Sequence, residues 1–153
     1  MRDNIGNELT LGDFVFCLSG SLKNTAQKIT GFRTIKNEPF EGREAVNFAG
    51  GFWLATDNVI SLNALGAKSF DVVSASGCDA LGNPLHIGDQ VLFLRMLEMY
   101  TEIGIVKKMA AKTCLLSIAK SRFDQTEYRK KYNEVISLTA LGKEDFDFSN
   151  RDQ

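Results

Sequence analysis

The segment Asp3-Asn4-Ile5-Gly6-Asn7-Glu8-Leu9-Thr10-Leu11-Gly12-Asp13-Phe14-Val15 returns seventy-six residues later as Asp79-Ala80-Leu81-Gly82-Asn83-Pro84-Leu85-His86-Ile87-Gly88-Asp89-Gln90-Val91. Both read D-x-x-G-N-x-L-x-Φ-G-D-x-V without a gap, Φ being leucine or isoleucine. Val59-Ile60-Ser61-Leu62-Asn63-Ala64-Leu65-Gly66 returns at the same offset as Val135-Ile136-Ser137-Leu138-Thr139-Ala140-Leu141-Gly142. Matching both ends of a unit at one spacing marks a tandem duplication, and that period decides how the chain divides. Residues 1–66 form a first unit, 67–78 a junction, 79–142 a second unit and 143–153 an acidic tail. Units of roughly 65 residues have small cores and marginal independent stability.

Composition matters here chiefly for what it excludes. With 44% hydrophobic and 24% charged residues the chain reads as globular. No apolar run approaches the roughly 20 residues of a membrane span. Met1-Arg2-Asp3-Asn4 has no apolar stretch resembling a signal peptide. Cys17, Cys78 and Cys114 are odd in number and lack metal-type spacing, so a reducing cytoplasm is expected. Cys17 and Cys114 lie in apolar runs and read as small core residues.

The net charge of −1 hides two basic segments. Between Phe14 and Asn37 there is no acid, against Lys23, Lys28, Arg33 and Lys36. Between Lys107 and Lys131 stand Lys107, Lys108, Lys112, Lys120, Arg122, Arg129, Lys130 and Lys131, against only Asp124 and Glu127. Local field rather than isoelectric point decides whether a surface attracts phosphate.

Taken in order, Gly6-Asn7 and Gly12-Asp13 are turn signals, and Phe14 to Leu18 reads as a core strand. A second strand is expected from about Gln27 to Ile35, bent at Gly31. Ala45 to Phe48 and Phe52 to Ala55 flank Gly50-Gly51 as a hairpin. Thr56-Asp57-Asn58 reads as a 3₁₀ turn before a last strand, Val59 to Leu62. The second unit repeats the plan with strands at Val91–Leu94, Thr101–Val106, bent at Gly104, and Cys114–Ile118. From Lys120 to Asn133 the copies diverge, and the pattern leaves open a basic hairpin or a short helix. About five short strands per unit, with no long helix, predict an all-β chain of two small bent barrels.

Gly12-Asp13-x-Val15 with Gly20 and Gly31-Phe32, and Gly88-Asp89-x-Val91 with Gly104-Ile105-Val106, resemble the KOW motif of SH3-like barrels of the KOW and Tudor type. That resemblance implies two tandem SH3-like barrels that bind nucleic acid, ribosome, RNA polymerase or a protein tail rather than catalyse a reaction. The chain is also similar to the MotB-type early proteins of T-even phages. This implies a DNA-associated phage early factor acting on host transcription or chromatin, in the host cytoplasm or nucleoid.

For catalysis the residues offer little. His86 is the single histidine, and Thr10 stands at its place in the other copy, so a structural or surface histidine is expected. Asp13 and Asp89 sit beside turn glycines, where backbone capping is their natural role. No Ser/Cys–His pairing, metal-ligand spacing or phosphate loop is present, so neither an enzyme nor a cofactor or metal is expected. For binding, Lys and Arg in each unit match the phosphate density of double-stranded DNA, with RNA as the other polyanion. Phe123, Tyr128 and Tyr132 interleave with Arg122, Arg129, Lys130 and Lys131, as in surfaces that stack on bases. The bland alternative is a solvated basic face. Trp53 beside Gly50-Gly51 is expected in the core, although an exposed Phe52-Trp53 pair would suit a peptide. A protein adaptor gripping a host transcription or nucleoid protein is therefore the rival expectation.

Overall fold

Each copy of the repeat is closed by a buried aspartate. The structure is a computed structural model that describes residues 1–39, 41–95, 100–118 and 127–144. The chain divides into two compact units, one spanning Met1–Phe70 and a second beginning at Asp71. Secondary structure is overwhelmingly β.

In the first unit the strands are β1 (Phe14–Cys17), β2 (Ala26–Lys28), β3 (Gly31–Thr34), β4 (Glu44–Asn47), β5 (Trp53–Ala55) and β6 (Val59–Ser61). They form two three-stranded sheets, ordered β2-β1-β6 and β3-β4-β5. In the second unit β7 (Gln90–Arg95), β8 (Tyr100–Met109), β9 (Thr113–Ser117), β10 (Glu127–Lys131) and β11 (Val135–Ser137) form one sheet, ordered β10-β9-β8-β7-β11. A single helical turn, α1 (Leu138–Leu141), follows.

The ends of the two units are built alike. Val15 opposes Ser61 and Val91 opposes Ser137, while Phe16 opposes Ile60 and Leu92 opposes Ile136. Ahead of the first strand, Asp13 accepts from the Thr10 amide at 2.9 Å and Asp89 from the His86 amide at 2.9 Å. This is the backbone capping expected of those aspartates. Gly12 and Gly88, at φ +90° and +96°, occupy the left-handed region that the turn requires.

The deeper tie comes from the first residue of each copy. Asp3 Oδ1 accepts from the amides of Ile5 (3.1 Å) and Asn7 (2.7 Å), and Oδ2 accepts from the amide of Ser61 (2.6 Å). Asp79 repeats this with Leu81 (3.0 Å), Asn83 (2.8 Å) and Ser137 (2.7 Å). Both carboxylates are buried, and each pins the entry loop to the last strand of its unit. Burial raises both above the ordinary aspartate range, against the lowering effect of the N–H groups they accept.

Leu9, Val15, Cys17, Ile29, Val46, Phe48 and Val59 pack one core. Leu85, Val91, Phe93, Val106, Cys114, Leu116 and Val135 pack the other, with Tyr132. Val15 and Leu62 in the first unit, and their counterparts Val91 and Leu138 in the second, are all fully buried. Burial pushes the Cys17 and Cys114 thiols up to about 12 and about 11, as befits unreactive core residues.

The expected second strand is two strands in the first unit, interrupted at Ile29-Thr30 and resumed at Gly31 as β3. In the second unit β8 runs on through Gly104 and is bulged only between Val106 and Lys108. The two glycines are not equivalent. Val91 opposes Gly104, and its counterpart Val15 opposes Gln27, whereas Gly31 opposes Asn47 on β4. Phe93 explains Gly104, because a Cβ there would lie 3.0 Å from the Phe93 ring and 3.3 Å from Leu116 Cβ. The first unit has Cys17 where the second has Phe93, so no ring stands at that place to exclude a side chain opposite Val15. Gly104→Ala should therefore cost about 1–3 kcal/mol by overpacking. Gly31→Ala, meeting only Asn47 at 3.4 Å, should cost little; urea melts of the two variants compare them.

The divergent stretch expected at 120–133 is described from Glu127 onward. There it is the strand β10 followed by a 3₁₀ turn, Tyr132–Glu134, matching Thr56–Asn58 in the first unit. Residues 119–126 and the tail beyond Glu144 lie outside the described residues.

Candidate nucleic-acid interface

A β-strand sends alternate side chains to opposite faces, so a run of bases in a strand cannot present them all to one partner. In β10, Tyr128 and Lys130 point toward the core while Glu127, Arg129 and Lys131 point away from it. Lys130 is only 8% exposed, paired with Cys114, at the position that Leu54 fills in the first unit. Its backbone carbonyl accepts from the Cys114 thiol at 3.7 Å. Tyr132 is buried and its hydroxyl donates to the Ala110 carbonyl. Tyr128 is half-buried, its ring 5.4 Å from Phe93 at a 46° tilt. The sequence pattern puts Lys130, Tyr128 and Tyr132 on a nucleic-acid surface; the strand's alternation turns Lys130 and Tyr128 inward instead, and the 3₁₀ turn after it buries Tyr132.

What remains outward forms a cationic face. Register places Lys108, Leu115 and Arg129 side by side across β8, β9 and β10, with Thr113 and Lys131 in the next row. Lys108, Lys112, Arg129 and Lys131 are exposed, and Arg129 donates to Thr113 Oγ1 at 3.0 Å. Lys107, at the bulge, is exposed but paired with Glu127 at 2.7 Å. That pairing, with Lys108 nearby, holds the Glu127 carboxyl below its usual range. Lys120 and Arg122 lie outside the described residues.

The four bases of the first basic segment do not gather in this way. Lys23 is half-buried just after the 3₁₀ turn Gly20–Leu22. Lys28 is exposed on β2, Arg33 is exposed on β3 in the other sheet, and Lys36 is exposed beyond β3. Arg33 is engaged, its guanidinium lying 4.9 Å from the centroid of the Trp53 ring.

The same outer face thus carries different chemistry in the two copies. Gly31, Asn47 and Trp53 stand in the row that Lys108, Leu115 and Arg129 fill in the second unit. Trp53 is 40% exposed and Phe52 47% exposed, so the expectation of a core tryptophan is corrected. The reason is register: Leu54 takes the inward place opposite Val46, which leaves Trp53 outward opposite Asn47. A shallow groove of about 220 Å³ runs beside Trp53, lined also by Ile35, Arg43 and Ala55. The pair of adjacent aromatics is the sequence signal for this patch.

His86 is exposed on its turn, with Nδ1 3.5 Å from the Asp89 carboxylate. Among the described residues no group of three His, Cys, Asp or Glu side chains could hold a metal ion, and no helix is long and apolar enough to cross a membrane. No protein-family model matches the chain, and no curated protein matches it.

Proposed function

We propose that the chain is a non-enzymatic nucleic-acid-binding protein that contacts double-stranded DNA mainly through phosphates, using the outer face of β8, β9 and β10. The observation that carries this reading is the row Lys108–Leu115–Arg129 with Lys131 beside it, exposed cations on one flat face. Such contacts position a protein on the duplex without reading sequence. The strand order of the second unit, a meander with its last strand returned beside its first, supports a small SH3-like barrel as the scaffold.

A gel-shift series with duplex DNA, single strands and RNA at two salt concentrations tests it. Duplex binding should weaken with salt. Lys108→Gln with Arg129→Gln should weaken it across unrelated sequences and flatten the log–log salt slope by about 0.9 for each phosphate no longer neutralised. Wild-type protein that shows no salt-sensitive binding to any nucleic acid at low ionic strength would overturn the reading.

One observation favours the rival, a protein adaptor. Phe52 and Trp53 are exposed together beside a groove, and exposed aromatics are typical anchors of protein interfaces. Under that reading Trp53→Ala abolishes partner binding, and the Lys108/Arg129 pair of changes does not.

A further inference from the structure

The second unit holds a cleft of about 560 Å³ between the β8–β9 turn, the end of β10 and the junction segment ahead of Asp79. Its polar lining is Ser74, Ser76, Lys112, Thr113, Lys131 and Asn133. No carboxylate lines it, and among the described residues none pairs with the Lys112 or Lys131 ammonium group. The nearest acid in sequence, Glu134, is committed to the Lys131 amide at 3.0 Å.

The walls are fixed before any ligand arrives. Ser76 Oγ donates to the Ala111 carbonyl at 2.6 Å, tying the junction segment across the turn. Tyr132 donates to the neighbouring Ala110 carbonyl, and the Ala110 amide donates to Thr113 O at 2.8 Å. The carbonyl of the lining residue Ala111, which would repel an anion, is thereby occupied by a hydroxyl donor. The cleft is left with two ammonium groups, hydroxyls and an amide, together with small apolar surface from Ala75 and Ala111.

We propose that this cleft binds a nucleotide, its phosphate held between Lys112 and Lys131 and its sugar and base against Ser74, Thr113 and Asn133. The volume lies within the range of sites for ligands of that size and far exceeds what a lone phosphate needs. Charge-assisted bonds from two lysines favour a phosphate over a neutral group. The ligand is either a free nucleotide or the phosphorylated end of a strand. The site shares Lys131 with the sheet face proposed for duplex DNA, whereas Lys108 and Arg129 do not line the cleft.

Isothermal titration of the full chain with AMP, adenosine and inorganic phosphate tests it, with amide spectra to map the site and to check folding. AMP should bind and shift the amides of Thr113 and Tyr132, while adenosine and phosphate bind at least several-fold more weakly. Lys112→Gln and Lys131→Gln should each weaken AMP roughly tenfold, the worth of one charge-assisted hydrogen bond. Lys108→Gln alone, at a residue that does not line the cleft, should leave AMP affinity within about twofold, since screening limits distant charges. Wild-type protein that binds AMP but gives no duplex gel shift would sink the sheet-face reading alone. A 5′-phosphorylated tetranucleotide that binds where its 5′-hydroxyl form does not would assign the ligand as a strand end; AMP binding without it would assign a free nucleotide. No AMP binding at millimolar concentration would overturn the proposal. So would equal affinity for AMP and phosphate, or AMP binding unchanged in a folded Lys112→Gln/Lys131→Gln variant.

Discussion

Asp79→Ala should destabilise the second unit by about 3 kcal/mol, because it strips the acceptor from three amide donors at once. The Leu81, Asn83 and Ser137 amides all donate to this carboxylate, and its position is fully buried, so water cannot readily replace it. Asp3→Ala should act alike on the first unit through Ile5, Asn7 and Ser61. Urea denaturation followed by amide exchange at Ser61 and Ser137 measures both. A loss well under 1 kcal/mol in each would show that the loops re-form their bonds without the carboxylate.

These aspartates also carry a pH signature. Burial is the largest influence on each and raises its folded value above the unfolded one, near 3.8. A carboxyl raised in this way binds its proton more readily folded than unfolded. Its contribution to stability is fully present below the unfolded value and is lost as pH rises through the folded one. Carbon-13 titration of the two carboxyls should therefore give midpoints above 3.8. The stability difference between wild type and Asp79→Asn should fall as pH climbs through that range. Midpoints below 3.8 would mean that the accepted N–H groups outweigh desolvation.

Much of this architecture is legible in the sequence because the repeat states it twice. The core valines, the hairpin across Gly50-Gly51 and the Val59 and Val135 strands follow from apolar pattern and turn residues. The buried aspartates were readable too, yet hidden. In both copies an Asp opens the repeat and a Ser follows 58 residues on, and a pair kept together through a duplication marks a contact. What pattern did not yield is the middle of each unit. Pairing places Ala45 with Ala55 and Thr113 with Lys131, so β4 and β9 stand off the seventy-six-residue offset that holds at both ends. The first unit has a longer connection before β4, from Ile35 to Arg43, than the second has before β9. Loops change length without disturbing a core, so self-comparison loses the register there. Lys130 and Arg129 do keep the offset, matching Leu54 and Trp53, but the charged residues of 127–131 carry no apolar alternation, so Lys130, Tyr128 and Tyr132 read as surface and Trp53 as core. Once β10 is known to be a strand, alternation alone sorts Arg129 and Lys131 outward from Lys130.

Val91→Asp should unfold the second unit. Val91 is the second residue of β7, is fully buried, and sits in one core cluster with Leu85, Phe93, Val106 and Cys114. Aspartate there replaces apolar contact with a charge or, once protonated, with a hydroxyl that lacks a partner. Either costs several kcal/mol, on the order of the whole stability of a domain this size. The strand has no easy escape. Val91 opposes Gly104 on one side and Ser137 on the other, and slipping β7 by one residue would expose Phe93 as well. The Gly104 gap takes no ion, because the Phe93 ring already fills it. Amide resonances of β7, β8 and β11 should lose dispersion, and exchange at Val91, Leu92 and Phe93 should become too fast to measure. Because Lys108 and Arg129 ride on strands of that same sheet, duplex binding should fail with it. Ile87→Asp, on the exposed turn four residues earlier, is the matched control: the same charge placed off the core should leave both the fold and the binding largely intact. A Val91→Asp variant that melts with the wild type would show that β7 does not carry this core.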